Sequence, residues 1–238
     1  MGLLSQHWYS TAELEADVSQ AEEAIHRATG QRPTGFRGPG FSWSADLLEV
    51  LARRRYLYDA STFPTFLGPL ARLYFLASTS LTAEERAQRS ALFGGFRDGL
   101  RPNQPYHWRL QEGGTLLEIP VTTVPVIRTP FHMSYLLYLS RFSRALMRLY
   151  LDSALLACRA LRVEPSFLLH PLDLLGGDQV PQLSFFPGMD LPGHRKEQLF
   201  AEVLGVLASH FEFMTMSEQA TSLLATGRLT QRSPVLAT

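Results

Sequence analysis

One cysteine, one lysine and no surplus of either charge are the first things to notice in this chain of 238 residues. The lone Cys158 excludes an intrachain disulfide and any zinc site built on several cysteines; its apolar helical surroundings suit a buried thiol. Lys+Arg and Asp+Glu both number 22, so no overall field draws in nucleic acid or an anionic membrane, and neither is expected as a partner. Only Lys196 among the 22 basic residues is a lysine, a skew that genome base composition explains as readily as function. The longest apolar stretches, such as Tyr135 to Leu139, are too short to cross a bilayer. Met1 to His7 lack a basic start, an apolar core and a cleavage site, so no signal peptide is read and the chain as it stands reads as cytoplasmic. There is no Asp-Asp pair, no His-x-x-x-His and no His-x-x-Glu-His, hence no local metal clip. The missing glycine-rich nucleotide fingerprint, Walker lysine loop and Gly-x-Ser-x-Gly elbow weigh against nucleotide binding and serine hydrolysis.

What is there reads as one α/β domain over residues 1–226, with an irregular insertion at about 61–114 and a frayed tail over 227–238. Ser10 and Glu13 form a capping box for a helix whose apolar positions run Leu14, Val18, Ala21, Ile25, Ala28 and which Gly30 closes. A short strand over 34–36 follows Pro33, Ser44 caps a second helix through Arg54, and 56–59 reads as the next strand. Pro64, Pro69, Pro102 and Pro105 then interrupt the pattern, with one helix expected from Thr82; so long an excursion suits a functional role. Further strands are expected at 116–121, 166–169 and 211–214. Two helical segments fall between Tyr135 and Leu161, one spans His194 to His210, and Ser217 caps a last one. Five strands fall short of the about seven or eight that a closed barrel of this kind needs, and the shortfall lies at the front, where the chain opens on a helix.

Two strand ends carry the candidate chemistry: Phe36-Arg37-Gly38-Pro39-Gly40-Phe41 and Leu168-Leu169-His170-Pro171-Leu172-Asp173. The C-terminal ends of strands are where α/β proteins place their active groups. Arg37 can hold a carboxylate bidentately, and the glycines around Pro39 leave backbone N–H groups, notably that of Gly40, open to a substrate oxygen. The plainer reading is a surface turn beside a structural ion pair. His170 can give a proton to a leaving group if Asp59 or Asp173 holds its other nitrogen; the plainer reading is a histidine that caps a strand. His26 lies mid-helix, His107 and His132 lie in loops, and His194 and His210 flank a helix.

Phe36 to Phe41, after Thr29-Gly30-Gln31-Arg32-Pro33, resembles the third motif of the polysaccharide deacetylase family (NodB homology, carbohydrate esterase family 4). Tyr58-Asp59-Ala60-Ser61 resembles the fourth motif and Phe167-Leu168-Leu169-His170 the fifth, in the same order and over most of the chain. The resemblance implies a distorted (β/α) barrel and metal-dependent hydrolysis of amide bonds in N-acetylated sugars, with a carbohydrate as partner. It implies that Arg37 tethers the catalytic carboxylate, that the Gly40 amide holds the oxyanion, and that Asp59 orients His170, the acid for the leaving amine. Leu168 would line the acetyl pocket, with Pro39, Phe41 and Asp173 also on the substrate side. The family's Thr-Phe-Asp-Asp motif, which supplies base and metal ligand, has no counterpart, and His7 alone stands near where two metal-binding histidines belong. The expectation is therefore a partial barrel missing its first strands, with no metal ligand in this chain, although a zinc-like divalent ion is implied for the complete domain. Such a chain would be inactive alone. Two alternatives are a non-catalytic carbohydrate-binding or scaffolding protein, and a chain completed by a partner, or by itself, through the open sheet edge.

Overall fold

The computed structural model describes residues 9–68, 96–186 and 188–234. His7 and the helix expected from Thr82 lie outside them. The chain packs as two compact units, one from residues 1–121 and 214–238, the other from 122–213.

The first unit is a mixed α/β sheet with helices on both faces. Its helix α1 (Thr11–Thr29) begins at the Ser10–Glu13 capping box and ends where Gly30 turns left-handed at φ 71°. Strand β1 (Gly35–Phe36), helix α2 (Ala45–Arg53, capped by Ser44) and strand β2 (Tyr58–Asp59) follow. Strands β3 (Tyr106–Arg109) and β4 (Thr115–Glu118) form a hairpin. The sheet order is β1-β2-β4-β3-β5, with β1, β2 and β4 mutually parallel. Alternation along β4 divides its side chains between the two faces: Leu116 packs with Leu48, Leu51 and Trp108, whereas Leu117 packs with Ile119 and Ala220. Arg54, just past α2, ties that helix to α1 by donating to Glu22 and to Glu15 at 2.6 Å.

The second unit is helical. Helices α3 (Met133–Ser140), α4 (Arg144–Ala160) and α5 (Gly193–His210) close around Leu136, Met147, Leu151, Leu155 and Val203. Cys158 is a free thiol in that core, its pKa pushed up to about 12 by burial.

Several expectations are corrected. Residues 106–109, placed in the irregular insertion, are a strand in which Tyr106 and Trp108 point into the core on alternate positions, so His107 sits in a strand and not a loop. Residues 166–169 form no ladder. Ser166 exchanges bonds with Thr122, and the Leu168 carbonyl accepts from the Met133 N–H at 3.1 Å. Residues 211–214 are not a strand either; Phe213 and Met214 are exposed. The last helix, α6 (Met216–Thr226), is capped by Thr215 with Glu218 closing the box, two residues ahead of the expected Ser217. Gln231–Arg232, in the tail expected to fray, forms β5 and pairs in parallel with His107 and Trp108 of β3.

Candidate functional site

Parallel pairing brings three strand ends of the first unit into line. Phe36 is the register partner of Asp59, and Asp59 of Glu118, so β1, β2 and β4 deliver Arg37, Asp59 and Glu118 at one edge. The loop after β1 is shaped by its glycines. A Cβ on Gly38 would meet the Ser42 carbonyl oxygen at 1.8 Å, and Gly40 takes φ 60° inside the turn Pro39–Phe41. Pro39 and Gly40 are exposed, and the Phe41 ring packs 4.9 Å from that of Phe63.

Arg37 is exposed and its Nε donates to the Ala60 carbonyl at 2.9 Å. Desolvation of the guanidinium lowers its pKa, opposed by Tyr58, Asp59 and Glu118. Asp59 and Glu118 are wholly buried. A relay runs from the Gly38 N–H to Ser61 Oγ (2.8 Å) and from the Ser61 hydroxyl to Asp59 Oδ1 (2.6 Å). Glu118 Oε1 accepts from the Thr62 N–H (2.9 Å) and hydroxyl (2.5 Å), and Oε2 accepts from the Trp108 indole N–H (2.9 Å). Asp59 Oδ2 meets no donor. Burial raises the pKa of both carboxyls, and their mutual repulsion adds to it at Glu118. Two adjacent buried carboxylates cannot both stay ionised cheaply, so the pair shares a proton. Tyr106 is buried near the same pair, which helps push its phenol pKa well above the ordinary value.

The second unit builds a different arrangement. The segment before His170 is anchored by Leu168, which is 3% exposed and bonded through its carbonyl to α3. Proline at 171 then starts a single turn of 3-10 helix, Pro171–Asp173. That turn swings Asp173 back. Its Oδ2 accepts from the His170 backbone N–H at 2.8 Å and stands 3.6 Å from His170 Nδ1. Ser134, in the first turn of α3, donates to Asp173 Oδ1 at 2.6 Å and lies 3.2 Å from His170 Nδ1. Since the one serine proton goes to the carboxylate, Ser134 Oγ is an acceptor towards the ring, and the network assigns the ring hydrogen to Nδ1. Nε2 has no protein partner among the described residues, and the His170 side chain is about half exposed. Burial pushes the Asp173 pKa up, but hydrogen bonds from His170 and Ser134 outweigh it and hold the carboxylate below its ordinary value. His132, whose ring lies 6.3 Å from that of His170, is lowered to about 4 by desolvation and by the His170 charge, and is neutral at pH 7.

Of the two carboxylates weighed for His170, Asp173 is the one whose bonds to it are described. Asp59, which the resemblance assigns to that task, has its own bonds to Ser61 and its neighbour in Glu118. The sequence reading missed Glu118 and Ser134. A charge inside the apolar run Leu116-Leu117-Glu118-Ile119 was a signal for the first; nothing local marks the second.

A divalent ion needs about three protein donors converging with free lone pairs. Among the described residues no group of three His, Cys, Asp or Glu side chains could hold one. Asp59, Glu118 and Asp173 have oxygens committed to the donors above. The described residues do not fit a metal centre. Nor is any helix among them long and apolar enough to cross a membrane.

No protein-family model matches the chain. No curated protein matches it. Among solved structures the chain is similar to the crystal structure of a "putative polysaccharide deacetylase" from Mycobacterium smegmatis, with 18% identity and a TM-score of 0.49, covering 96% of this chain and 61% of that one. The chain thus spans less than two thirds of that protein's length. Likeness at this level speaks to no activity, substrate or site residue.

Proposed function

We propose that this chain is polysaccharide deacetylase-like, and that its described residues form the leaving-group side of a site for hydrolysing amide bonds in N-acetylated sugars. The observation that carries the reading is the His170–Asp173–Ser134 arrangement, which occupies Nδ1 and leaves Nε2 as the proton-transferring nitrogen. It stands at the motif whose residues resemble the family's fifth. In this reading the imidazolium gives its Nε2 proton to the nitrogen of the breaking C–N bond, so the amine leaves neutral and the ring returns to neutral imidazole. Asp173, held ionised, and Ser134 fix the tautomer of the ring and its orientation. Leu168, just before His170 in the same unit, lines the acyl side; the resemblance alone gives Arg37 the tethering of a carboxylate, the Gly40 N–H the oxyanion, and Phe41 a substrate contact in the first unit. The sheet is then part of a distorted (β/α) barrel, which the parallel order of β1, β2 and β4 supports. No step is assigned to a metal or to a general base, since the described residues offer neither a ligand set nor a committed base. That same shortage favours a second reading, a protein that binds N-acetylated sugars without cleaving them.

The test combines nitrogen-15 spectra of the histidines with metal and acetate analysis. N-acetyl chito-oligosaccharides at millimolar concentration are expected to shift the His170 Nε2 signal, with no stoichiometric zinc and no acetate released by the chain as it stands. Silence at His170 with every N-acetylated oligosaccharide tried would defeat the proposal. One firmly held zinc per chain, with acetate release that His170→Asn abolishes, would overturn the ligand assignment and defeat the binding-only reading.

A further inference from the structure

Lys196, the chain's one lysine, is 1% exposed and stands in the first turn of α5. Burying an ammonium is costly unless its protons are well placed. Here they are. Nζ donates to the carbonyls of Leu172 and Leu175 at 2.7 Å each and lies 3.7 Å from Met189 Sδ. Methionine would fill similar volume at a position flanked by the apolar core of α5 without that cost, so the charge calls for an explanation beyond packing.

The two carbonyls flank Asp173, in and just after the turn that carries the His170–Asp173–Ser134 arrangement. Leu172 precedes Asp173 within Pro171–Asp173, and Leu175 lies just past the turn's C-terminal cap. Carbonyls at the end of so short a turn have few backbone donors, and a cation gathers them as a C-terminal cap does. The charge also reaches Asp173. Desolvation lowers the lysine's pKa, whereas Asp173, Asp190 and Asp178 raise it. By the same interaction the ammonium favours the ionised form of Asp173.

We infer that Lys196 is a positioning residue for His170, its ammonium pinning the Leu172 and Leu175 carbonyls so that the Asp173 carboxylate stays against His170 and Ser134. The inference rests on the reading of His170 as the proton donor. It acts through Asp173, not on substrate. With a single lysine in the chain, the clamp gives a single signal.

The wild-type 238-residue chain labelled with nitrogen-15 at lysine and histidine and with carbon-13 at the leucine carbonyls provides the first measurement. A buried, doubly bonded ammonium is expected to show one slowly exchanging Nζ resonance near neutral pH, with hydrogen-bond couplings to the carbonyls of Leu172 and Leu175. A folded protein whose lysine exchanges as free ammonium does would overturn the clamp, and needs no variant. The second measurement uses Lys196→Met. The Asp173 and Leu174 amides are expected to lose about tenfold in exchange protection, the loss of about one charge-assisted hydrogen bond. The His170 imidazole should shift from the Nδ1–H tautomer towards a mixture, while His26 in α1 stays unchanged. A folded Lys196→Met protein with the wild-type His170 signals would also overturn the clamp. Failure of sugars to reach His170 while the clamp signals stand would defeat the deacetylase reading and leave the clamp in place.

Discussion

Asp59 at the end of β2 and Asp173 in the turn after His170 are both almost out of water, at 0% and 4% exposure, yet their proton affinities move in opposite directions. Desolvation acts on both. The difference lies in the partners. Asp173 collects a backbone N–H and a serine hydroxyl on separate oxygens, and its neighbours His170 and Lys196 are basic. Asp59 has the Ser61 hydroxyl on Oδ1, lesser help from the Ala60 and Ser61 backbone, and a second buried carboxyl beside it, and these do not offset its desolvation. Burial therefore does not settle whether an acid is ionised; the strength of its donors and the sign of the neighbour do. A carboxylate held ionised can steer a histidine. One that shares a proton is suited to holding strands β2 and β4 in register.

The sharpest way to break the contrast is Glu118→Ala. It strips the acceptor from the Thr62 N–H and hydroxyl and from the Trp108 indole, all buried, and should cost about 3–5 kcal/mol. Urea unfolding followed by tryptophan fluorescence reads the loss. A loss below about 1 kcal/mol would mean those donors find other partners.

Next in size is the pH response, whose sign differs between the two units. Raised pKa values mean that the folded state binds more protons than the unfolded one. The Asp59–Glu118 pair therefore contributes stability that is present below the ordinary carboxylate range, about pH 4, and falls as pH rises towards the elevated values. The lowered pKa of Asp173 has the opposite effect: its stabilisation is present above about pH 4 and disappears as pH falls below it. Amide exchange should thus report weakening at His107 and Trp108 on the alkaline side and at Asp173 and Leu174 on the acid side. Asp59→Asn keeps the acceptor for Ser61 and places an N–H where Oδ2 lacked one, so it should flatten the alkaline slope without touching the acid one. An unchanged slope would remove the shared proton from the account.

Ser134→Ala is the smallest of the three changes. It removes one hydroxyl from a carboxylate that keeps the His170 N–H, for a loss of about 1–2 kcal/mol and a partial loss of the Nδ1–H tautomer. A stability loss with the tautomer intact would make Ser134 a packing residue only.

Local rules carried much of the fold. The Ser10–Glu13 box, the Ser44 cap and Gly30 are satisfied within a few residues of chain, and the helices they bound lie where expected. The failures share one cause, contact at long range. The apolar runs at 166–169 and 211–214 look like strands, but a strand is made by its neighbour, and Ser166 and Leu168 bond to 122 and 133 instead of to a ladder. At Tyr106–Arg109 the alternation was present in the aromatic positions and was masked by the prolines before it. The site divides in the same way. Arg37, Asp59, His170 and Asp173 stand out as ionisable groups beside turns. Ser134 and Glu118 gain their meaning from partners 39 and 56 residues away. Lys196 announced itself only as an oddity of composition, because its acceptors are backbone carbonyls with no side-chain signature.

The pairing of β5 with β3 joins Gln231 to His107 and Arg232 to Trp108 across more than half the chain. During synthesis the helical unit, drawn from the unbroken stretch 122–213, can emerge and pack while the sheet unit is still short of α6 and β5. Until those last residues leave the ribosome, the outer edge of β3 is bare and Leu117 and Ile119 lack the helix that covers them. The sheet is thus begun first and finished last. A nascent chain paused near residue 213 would be the form most exposed to mispairing and to chaperone capture.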